Sequence, residues 1–200
     1  MSHLTTIQIP KQKLTPEEFL AWYEALPKEA GRFELWDGEV IQTRGASGST
    51  NAELSQHWAA KEALFLALRA AFNASGLIGR VHSEGPTVAL PNGRRLEPDA
   101  LVYLGPPVAR GELIVPNPII VCEVLSPSTA THDASTKLQA YFQLDSIHHY
   151  VIVDPDKPLI IHHKQGAEGV LETRLISNPA ERLMLDPPGL SVDLAEVLAG

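Results

Sequence analysis

Hydrophobic and polar positions along the 200-residue chain switch between a helical and a strand period. Thr15-Pro16-Glu17-Glu18 opens a short helix running to about Leu26, before Pro27. Thr15 can cap it, Pro16 suits the first helical position, and Glu18 can complete a capping box. Arg32 to Thr43 reads as a hairpin: Phe33-Glu34-Leu35-Trp36 and Val40-Ile41 flank Asp37-Gly38, a favoured two-residue turn. Gly45 to Ser49 is a small-residue loop, and Thr50 with Glu53 makes a second capping box. Leu54, Trp58, Phe65, Leu68 and Phe72 then recur at steps of three, four and seven. That period predicts one buried face of a long helix ending near Asn73, with Gly76 placed to terminate it.

Beyond Gly76 the pattern turns to strands, at Val81 to Ser83, Thr87 to Leu90 and Ala100 to Leu104, with Pro91-Asn92-Gly93 as a turn. A Pro/Gly-rich loop covers Gly105 to Pro118. Ile119 to Leu125 is the most apolar strand candidate and is expected at the centre of a sheet. Ser126-Pro127-Ser128 breaks it, and a helix follows from about His132 to Leu144. Tyr150 to Val153, Leu159 to His163 and Glu172 to Ile176 read as strands, and Gly189 to Leu198 ends in a short amphipathic segment. The order predicts a single domain over residues 1–200, an α/β (α+β) mixed sheet flanked by helices, with an N-terminal helix and hairpin as an extension.

Composition narrows the class. Hydrophobic residues make up 44% and charged residues 20%, a globular mixture able to bury a core without staples. The single Cys122 excludes an internal disulfide framework and any multi-cysteine metal centre. No apolar run approaches the roughly 20 residues that span a bilayer. Met1 to Lys13 lacks the apolar stretch of a signal peptide, so a cytoplasmic protein without a membrane partner is expected. Sixteen Lys and Arg against 24 Asp and Glu give a net charge of −8, which argues against bulk electrostatic capture of nucleic acid.

The informative residues are acids inside apolar runs. Glu123 interrupts Ile119-Ile120-Val121-Cys122-Glu123-Val124-Leu125, and Asp99 opens the strand pattern of Ala100-Leu101-Val102-Tyr103. A carboxylate in such a setting is costly unless paired. Two neighbouring carboxylates raise each other's proton affinity, so a divalent cation is a natural third partner. Oxygen ligands without a thiolate cluster suit Mg²⁺ or Mn²⁺ better than Zn²⁺. Asp133, Lys137 and Tyr141 are spaced by four on the following helix and share one face. Lys137 can reach back to the acids, neutralise them, and orient a water or stabilise a phosphate. The plainer alternatives are a cap role for Asp99, a Lys or Arg partner for Glu123, and a solvated Asp133–Lys137 pair.

Taken in order, Phe33-Glu34-Leu35-Trp36-Asp37-Gly38-Glu39-Val40, Pro98-Asp99, Glu123-Val124-Leu125-Ser126-Pro127-Ser128-Thr129, then Asp133, Lys137 and Tyr141, Tyr150-Val151-Ile152-Val153-Asp154-Pro155 and Gly189-Leu190-Ser191-Val192 resemble the Uma2 family of restriction-endonuclease-like proteins within the PD-(D/E)xK nuclease superfamily. The resemblance implies a restriction-endonuclease-like core and metal-dependent cleavage of phosphodiester bonds in DNA. It makes Asp99 and Glu123 the metal-holding acids, with the Val124 carbonyl, and Glu34 a further ligand. The superfamily pattern places a Lys two residues after the second acid, where this chain has Leu125. Lys137 matches the family's Lys on the next helix. The departure keeps open a non-catalytic binding or assembly module on the same fold, and a metal-dependent hydrolase of a small phosphoester is a third option.

Arg94-Arg95 lies just upstream of Pro98-Asp99 and can grip a phosphate or be a solvated turn, and Tyr141 can bond Lys137 or a phosphate or simply pack. Adjacent strand residues point to opposite faces, so neither His148-His149 nor His162-His163 chelates one ion easily. One His from each strand can pair across the hairpin, but surface histidines are the simpler reading. His57 reads as a helix-surface or partly buried residue, and Cys122 as a small hydrophobe. A two-fold homodimer would suit cutting both strands of a duplex, each site taking one.

Overall fold

The computed structural model describes residues 7–44, 55–125 and 133–199. Its elements are α1 (Pro16–Glu24), β1 (Arg32–Trp36), β2 (Glu39–Arg44), α2 (Ser55–Ser75), β3 (Gly79–Ser83), β4 (Val88–Ala89), β5 (Arg95–Leu96), β6 (Ala100–Leu104), β7 (Pro118–Val124), α3 (Asp133–Tyr141), β8 (His149–Asp154), β9 (Leu159–Gln165), β10 (Leu171–Ile176), β11 (Arg182–Leu185) and β12 (Leu190–Asp193). The expected loop at 45–49, the capping box of Thr50 and Glu53, Leu54, the break at 126–128 and His132 lie outside the described residues. No helix among the described residues is long and apolar enough to cross a membrane.

Contacts divide the chain into two compact units, Met1–Ala52 with Ala89–Glu97, and Glu53–Val88 with Pro98–Gly200. In the first, the capping box closes as its sequence requires: Thr15 Oγ1 accepts from the Glu18 amide at 3.2 Å, and Glu18 Oε2 accepts from the Thr15 amide at 2.8 Å. Phe19, Trp22 and Tyr23 of α1 cluster with Phe33 of β1. Asp37 and Gly38 both take positive φ, 51° and 87°, the conformation of a two-residue hairpin turn between β1 and β2. This unit carries the neighbouring strands β2, β1 and β5.

The second unit is built on a six-stranded sheet, β10-β9-β8-β7-β6-β3. β7 and β8 run parallel, joined by a crossover that contains α3, and every other neighbouring pair is antiparallel. This is the mixed sheet with flanking helices that the pattern predicts, with β7 near its centre. Alternation sends Cys122 and Val151 to one face and Glu123 and Tyr150 to the other. The first face packs on Leu64, Leu68 and Phe72 of α2, and the second meets Lys137 and Tyr141 of α3. Gly79 lets β3 close against β6, because a Cβ there would sit on the Tyr103 carbonyl oxygen.

Three sequence expectations need correction. Trp58 is 60% exposed, not part of the buried face, and Phe65 is only partly buried. The buried stripe of α2 is His57, Ala60, Leu64, Leu68 and Phe72. It begins on a polar residue because that turn of the helix meets the polar end of β7, not its apolar middle. The C-terminal segment is a hairpin, β11 and β12, whose Leu183, Leu185, Leu190 and Val192 join the core. His149 and His162 are not surface residues: both are buried, stacked at 5.1 Å, with Nδ1 of His149 2.9 Å from Nε2 of His162.

Candidate active site

The register of β6 and β7 sets Ala100 opposite Cys122 and Leu101 opposite Val121. Asp99 stands one residue before β6, and Glu123 one residue after Cys122, so both acids lie at the same end of the two strands. Asp99 is 8% exposed, and its Oδ2 accepts from the Val124 amide at 2.8 Å. That bond uses a backbone donor at the last residue of β7, and it fixes the carboxylate against the strand end. Asp99 Oδ1 lies 3.0 Å from Nζ of Lys61, which also lies 3.4 Å from Oε1 of Glu84. The Glu84 amide in turn donates to the Asp99 carbonyl at 3.1 Å.

Glu123 is met from α3. Its Oε1 accepts from Lys137 Nζ at 3.0 Å and from the Tyr141 hydroxyl at 2.8 Å. Residues spaced by four on a helix stand above one another, so both donors reach the same oxygen. The Tyr141 ring rests 5.1 Å from that of Tyr150, which fixes the hydroxyl. Lys137 is buried, and a buried ammonium is tolerable only beside such a partner. The Val124 carbonyl accepts from Nε2 of His57 at 2.9 Å, which requires the tautomer protonated at Nε2. Cys122 is buried on the opposite face, its thiol pushed up by burial and then by the charges of Glu123 and Asp99, so it is inert as a nucleophile.

The site therefore joins Asp99, Glu123, Val124, Lys137 and Tyr141. Glu34, Arg94 and Arg95 belong to the first unit. Glu34 is buried there, accepting from the Glu97 amide at 3.1 Å and from Trp36 Nε1 at 2.9 Å. Arg94 forks onto Asp37 at 3.0 and 2.8 Å and lies 4.6 Å over the Trp36 ring, and Arg95 donates to the Arg94 carbonyl. Sequence reasoning missed Lys61 and underrated His57. Their spacing of four, on the line that continues to Leu64 and Leu68, is the signal that both face inward.

Two carboxylates and one carbonyl are hard oxygen donors, and their chemistry fits a hard divalent cation. Among the described residues no group of three or more His, Cys, Asp or Glu side chains is placed to hold a metal ion, so side chains alone supply only these two acids. Lys61 holds Asp99 and Lys137 holds Glu123.

Comparison with known proteins places this arrangement in context. The sequence pattern of the Uma2 family, described as a putative restriction endonuclease, matches residues 16–195. An uncharacterized protein of Synechocystis sp. is 26% identical over 196 residues, covering 96% of this chain and 94% of that protein. The crystal structure of a putative nuclease belonging to DUF820, from Anabaena variabilis, superposes with a TM-score of 0.68 at 18% identity. It covers 93% of this chain and 98% of that one, a likeness of fold.

Proposed function

The chain belongs to the Uma2 family, and from that premise we propose that it is a metal-dependent endonuclease that hydrolyses phosphodiester bonds in cytoplasmic DNA, with Mg²⁺ or Mn²⁺ as cofactor. The observation that carries the reading is the Lys137 ammonium, 3.0 Å from Glu123, beside Val124, whose amide holds Asp99. It supplies from α3 the positive charge that the superfamily motif takes from the position of Leu125.

Asp99 and Glu123, with the Val124 carbonyl, would hold the cation. When bound, it lowers the pKa of a coordinated water and offsets charge developing on the phosphoryl oxygens. The protein's own groups do the rest. Lys137 orients the attacking water and stabilises the negative charge that develops as it attacks. Tyr141 holds Glu123 in place through its hydroxyl, and His57 holds the Val124 peptide. Lys61 neutralises Asp99.

Cleavage of supercoiled plasmid with Mg²⁺ or Mn²⁺ tests this reading. Asp99→Ala, Glu123→Ala and Lys137→Ala should each slow nicking by about 10²–10³-fold. Wild-type rates in the two acid variants would refute the assignment. The pairing of both acids with lysines favours a second reading, a non-catalytic module on the nuclease fold. Absence of cleavage together with absence of cation binding, with or without DNA, would select it.

A further inference from the structure

Strand β10 forms one edge of the six-stranded sheet, and Leu171 to Leu175 are all exposed along it. Its register with β9 is unbroken, from Leu171 opposite Gln165 to Ile176 opposite Ile160. At the hairpin end, the Gly166 amide donates to the Val170 carbonyl at 2.7 Å. Antiparallel ladders alternate between bonded and non-bonded pairs. Glu172 and Arg174 therefore exchange their backbone hydrogen bonds with β9, while the N–H and C=O groups of Leu171, Thr173 and Leu175 turn outward. Such a row is a template for another strand.

We propose that β10 pairs with β10 of a second copy of this chain, antiparallel and two-fold about Thr173, merging two sheets into one. Three features of the strand agree on that axis. The outward backbone groups are centred on Thr173, so its amide and carbonyl meet those of Thr173 of the partner subunit. Leu171, 37% exposed, and Leu175, 68% exposed, meet Leu175 of the partner subunit and Leu171 of the partner subunit on one face. On the other face Glu172 meets Arg174 of the partner subunit, at the pair position where antiparallel strands approach most closely. Arg174 already lies 3.1 Å from Glu181, so its guanidinium would sit between two carboxylates. An axis on Glu172 or Arg174 would instead oppose like charges and misalign the outward groups. The opposite edge, β3, lacks this self-complementarity, since an axis on Val81 sets Arg80 against His82. The interface does not depend on the nuclease reading.

Sedimentation velocity of the full chain over a concentration series tests the proposal. The wild type should sediment as a dimer at high concentration. Thr173→Pro removes an outward N–H that β9 does not use, and should give a monomer with unchanged far-UV circular dichroism. Glu172→Arg should also give a monomer, and combining it with Arg174→Glu should restore the dimer by reversing both charges. Amide exchange at Leu171, Thr173 and Leu175 should slow only as the dimer forms. A wild type that stays monomeric, or a folded Thr173→Pro protein that remains a dimer, would overturn the proposal.

Discussion

Asp99 and Glu123 each have a lysine ammonium 3.0 Å away, and the two lysines come from different helices. In the proposed reaction they have different tasks: Lys137 would assist it, whereas Lys61 would compete with the cation for Asp99. Lys61→Gln should therefore tighten Mn²⁺ binding about five- to tenfold, on the order of 1 kcal/mol of relieved repulsion, read from the electron paramagnetic resonance of free Mn²⁺. Weaker binding would mean that Lys61 instead braces Asp99 for the metal. The acids and Lys137 were legible in the sequence because a carboxylate inside an apolar run is an anomaly that demands a partner. Lys61 was not, because a lysine on the first turns of an amphipathic helix looks like any solvated position. Only the contact with Asp99 distinguishes it.

The β8–β9 hairpin holds a buried pair that takes no part in the site. His149 Nε2 lies 2.8 Å from the Pro187 carbonyl and must donate to it, which leaves Nδ1 to accept from His162. Protonating both rings would set N–H against N–H and break the bond between them. Burial lowers both pKa values from the usual 6.5 to about 4, with Lys164, His148 and Arg174 adding to the effect and Asp186 opposing it. As pH falls below about 6.5 the unfolded chain takes up these protons before the folded one does. The pair's contribution to stability should be fully present above that pH and lost progressively as pH falls from 6.5 to 4, in urea titrations across pH. His162→Gln should flatten the fall, and an unchanged slope would show that other groups cause it. Long elements were readable from their periods: α1, the β1–β2 hairpin, β6, β7 and α3 all stand close to their expected positions. The β11–β12 hairpin was not, because four-residue strands carry two inward residues each, too few to separate from an amphipathic tail. For α2 the period was right, and the phase slipped where His57 and Lys61 replace apolar residues on the inward stripe.

At the scale of the molecule, the charge of −8 is partly the signature of a site that gathers acids. Asp99, Glu123 and Glu84 are offset locally by Lys61 and Lys137. The remaining excess disfavours tight non-specific binding, so DNA should be held weakly and with a cation's help. A two-fold pair through β10 would carry two such sites. All of this depends on the lysine-paired carboxylates being a cation site. Calorimetric titration of the wild-type chain with Mn²⁺, alongside Asp99→Asn and Glu123→Gln, tests that directly. The account predicts saturable binding in the wild type, strengthened by duplex DNA and abolished in both variants. Equal binding in the variants, or none in the wild type with DNA present, would contradict it.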